Sequence, residues 1–260
     1  MSDAATLATA AWSARLDPAL PGAVNMARDH ALALGLSAGS AVLRLYRWER
    51  PTLSLGRNEP ARSRWDRAAL ARLGVDVVRR PTGGRSVLHA RELTYAVAAP
   101  ARALGGVRAA YRWINVRLAA ALASLGIAAE IAPEPSVSVS PDGGPCFRAA
   151  AGGEVVVGGR KLIGSAQLKV GDTFLQHGSI LIGDDQALLA ELGGGPAAEG
   201  DRPAALAELL GRPLGQYELE MAVLTAFGLA GSCPVMGGAV SPVEAELEER
   251  YRSEAWTWRR

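Results

Sequence analysis

Two glycines in succession, Gly158-Gly159, separate the short apolar runs 154–157 and 160–164. A two-residue turn of this kind tolerates positive φ at both positions, so the stretch is predicted to be a tight β-hairpin, with a third strand over 173–181. Strict alternation along 160–166 puts Lys161, Ile163 and Ser165 on one face and Leu162, Gly164 and Ala166 on the other. Lys161 then projects from a rigid platform. Of the 28 basic residues only Lys161 and Lys169 are lysine and the other 26 are arginine. Arginine carries a planar fork that is always charged, whereas lysine is a compact point charge that fits a narrow site. A chain that uses arginine almost everywhere but keeps lysine at this strand position marks Lys161 as functional. Lys169 reads as a solvated turn lysine.

Residues 1–22 form a loose lead-in closed by Pro18 and Pro21, and helical spacing begins in 25–34. Asp29 and His30 there are expected to be a helix-surface pair. Strands are predicted over 42–47 and 52–55, a helix over 65–73 stopped by Gly74, and a strand over 75–79. The loop 79–89 follows. It is either a Gly-Gly hairpin turn or a concavity whose N–H groups, flanked by arginine forks, hold a ligand. A strand over 93–98 and a helix over 108–125 come next, the helix turning Trp113, Val116, Leu118 and Leu122 to the core. Residues 132–145 are a long proline-bearing loop. Beyond 182 the pattern is helical, over 184–192, 204–210, 218–229 and 242–252, with a Gly/Pro-rich break at 193–203.

A formal net charge of +2 excludes a whole-molecule field made for nucleic acid, although arginines can still cluster locally. The first twenty residues lack a basic start followed by an apolar core, so no signal peptide is expected, and no run reaches the roughly 18 apolar residues of a membrane span. A cytoplasmic protein is the expectation. Neither Cys-x-x-Cys nor His-x-x-x-His occurs, and no metal is expected.

Cys146 leaves the long loop after Gly143-Gly144-Pro145, fifteen residues before Lys161. A nearby cation lowers a thiol pKa, and a thiolate so favoured can attack an acyl thioester, with glycine-flanked N–H groups stabilising the oxyanion. The alternative for Cys146 is a small buried hydrophobe. Cys233, with no lysine or histidine near it in sequence, is expected to be structural.

Several ordered stretches resemble one family: NMARDHAL from Asn25, LRLYRWERPTLSLGR from Leu43, RRPTGGRSVLH from Arg79, Cys146-Phe147, GRKLIGSAQ and LQHGSILI. They are similar to the lipoate-protein ligases and octanoyltransferases, whose catalytic fold is shared with biotin ligases. The resemblance spans roughly 24–183. It implies an α+β fold, a mixed or antiparallel central sheet flanked by helices, as a single catalytic domain over 23–260 whose part from about 184 is helical. Cysteine followed by phenylalanine, fifteen residues ahead of the motif lysine, resembles the octanoyltransferases of Gram-positive type. What this implies is an acyltransferase in lipoate biosynthesis that needs no cofactor, neither ATP nor metal. Cys146 takes an octanoyl group from acyl carrier protein as a thioester and passes it to a lysine of a lipoyl domain or glycine cleavage H protein. Lys161 positions the acyl carbonyl. Arg80, Thr82, Gly83, Gly84, Arg85 and His89 wall the substrate, as do Gly164, Ser165, Ala166, His177 and Gly178. Neither nucleic acid nor membrane is an implied partner.

The chain departs from the family pattern at Ala90, where aspartate usually follows the loop histidine, and over 148–153, which lacks the usual Pro-Ser and aromatic residues. Three other readings compete: an ATP-dependent lipoate ligase, an amidotransferase moving acyl groups between lipoyl domains, and a protein that binds an acyl group without turnover.

Overall fold

The computed structural model describes residues 10–62, 64–102, 105–133, 147, 152–194, 202–236 and 240–260. An eight-stranded mixed sheet organises it. Its strands are β1 (Ala11–Leu20), β2 (Ser40–Trp48), β6 (Glu92–Pro100), β7 (Glu130–Ile131), β8 (Val155–Val157), β9 (Arg160–Val170), β10 (Thr173–Leu181) and β11 (Val235–Met236). They lie in the order β11-β1-β2-β6-β10-β9-β8-β7. β1 runs parallel to both its neighbours, and the pairs from β2 to β7 are antiparallel. A three-stranded sheet sets β3 (Thr52–Leu55) between β4 (Asp76–Arg79) and β5 (Val87–His89). The expected α+β architecture with a mixed central sheet holds.

Alternation along the strands assigns the two faces of the large sheet. Leu43, Leu45, Leu93, Tyr95, Val97, Ile163 and Ile180 turn one way, against helices α3 (Val107–Ser124) and α5 (Gln216–Ala226) and the short α4 (Leu206–Leu210). Tyr46, Trp48, Ala96 and Leu175 turn the other way, against α1 (Gly22–Leu34) and α6 (Pro242–Arg252). The small sheet packs with α2 (Arg67–Arg72). Helix starts follow their caps: Asp66 accepts from the N–H groups of Ala68 and Ala69, and Ser241 accepts from Glu244 ahead of Pro242. A final short helix, α7 (Glu254–Thr257), leads into the C-terminal residues.

Several expectations need correction. The stretch expected as a loose lead-in contributes β1. Pro18, which donates no hydrogen bond, is tolerated because the β1–β2 register shifts between Leu16 and Ala19. Val116 is 46% exposed, since the buried stripe of α3 runs through Ala110, Ile114, Leu118, Ala121 and Leu122. In place of a helix over 184–192 there is a 3₁₀ turn, Gln186–Leu189, and a wide turn, Ala190–Gly194, kinked at Gly193. The hairpin reading of 79–89 also fails, because β4 and β5 lie on opposite sides of β3 and the loop must cross the end of that strand. The Gly158-Gly159 turn has φ of +56° and +76°, as a tight hairpin requires. Most of the loop 132–145 and of the break 193–203 lies outside the described residues.

Candidate active site

The β8–β9 ladder sets the position of Lys161. Val156 pairs with Lys161 but Val155 pairs with Ile163, so Leu162 is an extra residue in a β-bulge. The bulge breaks the strict alternation. A Cβ added to Gly164 would stand 3.2 Å from Lys161 Cε, so Lys161 shares the face of Gly164 and not, as expected, that of Ser165. Phe147 packs over the same spot, its Cζ 2.9 Å from that Cβ position and its ring centroid 5.1 Å from Lys161 Nζ. Only glycine at 164 leaves room for both side chains. Lys161 is 4% exposed, and its Nζ donates to Glu154 Oε1 at 2.7 Å. Glu154 is buried as well. The turn just before it is pinned from α3, where Asn115 Nδ2 donates to the Gly153 carbonyl at 2.7 Å.

Further along the same face a mostly apolar cavity opens. Of the residues expected at the substrate, Arg80, Gly84, His89, Gly164, Ser165, Ala166, His177 and Gly178 line it. Thr82, Gly83, Arg85 and Lys161 stand behind or beside the wall. Arg80 holds the loop in shape: its guanidinium donates to the carbonyls of Ser54 (2.9 Å), Gly83 (2.8 Å) and Arg85 (2.6 Å). Gly56, just beyond β3, meets this loop so closely that a Cβ there would lie 1.8 Å from the Gly84 carbonyl oxygen. Tyr46, Trp48 and Met26 supply apolar wall that sequence reasoning did not assign to the site.

Two histidines are fixed by carboxylates. His177 Nδ1 lies 2.8 Å from Asp29 Oδ2 and its Nε2 lies 2.7 Å from Thr82 Oγ1. Asp29 also accepts from Arg44 Nη1 at 2.6 Å and from the Tyr46 hydroxyl at 2.7 Å. Burial pushes the Asp29 carboxyl up, but Arg44, His177 and Tyr46 pull it further down, below the usual carboxylate value. Burial lowers the His177 pKa against the opposing pull of Asp29. His177 is therefore neutral near pH 7, donating from Nδ1 to Asp29 and accepting at Nε2 from Thr82. His89 stacks on Trp48 at 4.0 Å, with Nδ1 2.8 Å from Glu92 Oε1 and Nε2 2.7 Å from Ser54 Oγ. The carboxylate beside His89 is thus Glu92, although Ala90 follows the histidine in sequence.

Asp29 corrects the expected surface pair: it is fully buried and reaches the cavity wall through His177. A signal for it existed. Gly22, Asn25, Met26, Asp29 and Ala33 are buried at helical spacing, which puts an acid on an otherwise core-facing stripe. Glu154 was likewise legible only as the lone acid heading an apolar run. Cys146 and residues 148–151 lie outside the described residues, and Cys233, expected to be structural, is exposed. Among the described residues no three His, Cys, Asp or Glu side chains gather as metal ligands would, and no helix is long and apolar enough to cross a membrane.

Residues 21–228 match the family described as lipoyl protein ligase A/B catalytic domain. The chain belongs to that family. Among curated members, octanoyltransferase LipM of Carboxydothermus hydrogenoformans is 46% identical over 166 residues, covering 62% of this chain and 61% of that protein. Octanoyltransferase LipM of Kyrpidia tusciae is 42% identical over 180 residues, 65% of this chain and 66% of that protein. The chain thus spans a little under two thirds of the length of these relatives. A crystal structure of lipoate-protein ligase A bound with ATP superposes with a TM-score of 0.75 over 96% of this chain and 98% of that one, at 20% identity. At that identity the likeness concerns the fold, which this lipoyl protein ligase A/B domain shares.

Proposed function

We propose that this chain is an octanoyltransferase of lipoate biosynthesis, moving an octanoyl group from acyl carrier protein to a lysine of a lipoyl domain or H protein. The observation that carries the reading is the likeness to two octanoyltransferases LipM at 46% and 42% identity. Phe147, the residue after Cys146 in sequence, supports it: its ring centroid lies 5.1 Å from Lys161 Nζ. The buried Lys161 ammonium is the cation that favours a thiolate at Cys146. That thiolate attacks the carbonyl carbon of the octanoyl thioester. The bond from the carbonyl to the sulfur of the carrier's arm breaks, and the arm leaves as a thiol once its sulfur takes a proton. The amine of the acceptor lysine then attacks the acyl-cysteine, a C–N bond forms, the Cys146 sulfur departs, and the surplus proton of the amine is released. Both steps start from a thioester, so ATP has no part.

The apolar cavity receives the alkyl chain, and the buried, neutral His177 adds no charge to its wall. The test is to incubate the protein with octanoyl-acyl carrier protein, without ATP or acceptor, and to measure intact mass before and after hydroxylamine. A hydroxylamine-labile octanoyl adduct mapping to Cys146 is the expected result. No adduct, with a lipoyl domain modified only when ATP and free octanoate or lipoate are present, overturns it in favour of a ligase.

A further inference from the structure

Four arginines gather on the outer side of the loop that walls the cavity. The Trp256 indole is sandwiched between two guanidiniums, with Arg250 Cζ 3.8 Å and Arg259 Cζ 3.7 Å from the ring centroid. Arg259 donates to the Arg57 carbonyl. The Arg260 carbonyl accepts from the N–H groups of Ala61 and Arg62, each at 3.0 Å. Arg57, Arg250 and Arg260 are exposed and Arg259 is half-buried. None of the four forms an ion pair among the described residues, whereas Arg67 and Arg252 nearby pair with Glu254 and Glu248. The crowding is unfavourable in itself: burial, then Arg57, Arg260 and Arg250, push the Arg259 pKa below its usual value. A chain of net charge +2 with 26 acidic residues has carboxylates enough to neutralise such a patch, yet leaves it bare.

The patch is joined to the cavity by one residue. Arg57 N–H donates to the Thr82 carbonyl at 2.8 Å, and Thr82 Oγ1 meets His177 on the cavity wall. His177 stands opposite Ala166, five residues along β9 from Lys161, which is about 13 Å at the roughly 3.3 Å rise of a strand because the bulged Leu162 adds none. We propose that Arg57, Arg250, Arg259 and Arg260 form the docking surface for the acidic carrier protein that donates the acyl group, a proposal that rests on the octanoyl-transfer reading. Distance from Lys161 selects the donor over the acceptor. A carrier delivers its thioester on a long phosphopantetheine arm and docks away from the reacting atoms, whereas an acceptor offering a single lysine side chain has to sit directly over them. Unpaired positive charge facing an acidic partner favours encounter and orientation.

The test is charge reversal at the two positions that touch their neighbours only through the backbone, R57E/R260E, with R57S/R260S as a neutral counterpart. KM for octanoyl-acyl carrier protein should rise at least tenfold in the first variant and less in the second. Its steep rise with salt should weaken, while transfer from octanoyl-pantetheine, which lacks the carrier protein, and KM for the lipoyl domain should stay as in the parent. Unchanged KM for the carrier, equal loss with octanoyl-pantetheine, or a rise confined to the lipoyl domain would each overturn the proposal. Anisotropy of labelled, unacylated carrier reads binding without turnover. If the parent binds the carrier and R57E/R260E does not, but neither transfers octanoate, the surface stands and the transferase reading falls. If the parent transfers and both proteins bind the carrier equally, the surface falls alone.

Discussion

Lys161 and Glu154 share a 2.7 Å hydrogen bond with almost no access to water, so each depends on the other. Removing one partner of a buried ion pair leaves an uncompensated charge and typically costs about 3–5 kcal/mol, whereas replacing both with apolar residues is often near neutral. Lys161→Met should therefore lose about that much stability in urea denaturation, and Lys161→Met/Glu154→Leu should recover most of it. A double variant no more stable than the single one would mean that the pair is not what holds these side chains. Lys161 stood out as a candidate in the sequence because arginine stands almost everywhere else. Glu154 did not, because the chemistry of a single acid on a short strand depends on a bulge that no local pattern announces. Asp29 fell between the two: its spacing was readable, but its partners Arg44 and His177 come from other elements.

At the scale of elements, the hairpin, the long helix α3 and the glycine-stopped α2 follow from local spacing, and they formed where expected. β1 did not read as a strand, because Pro18 and Pro21 look like chain breakers and its partner β11 lies more than two hundred residues away. The crossing of the 79–89 loop over β3 is equally non-local. It predicts unequal behaviour from two neighbouring small residues. Gly56→Ala drives a methyl into the Gly84 carbonyl and should cost about 1–3 kcal/mol in urea denaturation. Gly83→Ala, whose Cβ meets nothing within 4 Å, should stay within about 0.5 kcal/mol of the parent. Equal losses would show that close backbone approach does not constrain this loop.

At the scale of the whole molecule, residues 256–260 lie against the strand and turn that carry the cavity loop. Arg79 Nε donates to the Thr257 carbonyl, the Trp256 indole N–H donates to the Arg79 carbonyl, and burial followed by Arg259 pushes the Arg79 pKa down to about 10. Global stability also carries a signature of the half-buried His30 and the buried His177. Burial lowers the pKa of both His30 and His177, so between their folded values and about 6.5 the unfolded chain binds more protons than the folded one. Their contribution is complete above about pH 6.5 and is lost as the pH falls through that window. The lowered carboxyls of Asp17 and Asp29 act with the same sign at more acid pH, below about 4. Tm should fall from about pH 7.5 to about pH 5, and His177→Gln should flatten part of that slope. A Tm independent of pH across that range would contradict a neutral His30 and His177 in the folded chain. Among the described residues the large sheet ends at both sides in strands of two residues, β7 and β11. The β11 stub pairs only Arg15 and Leu16 of the ten-residue β1, so among the described residues most of the outer amides of β1 remain an open edge to which a further strand could add.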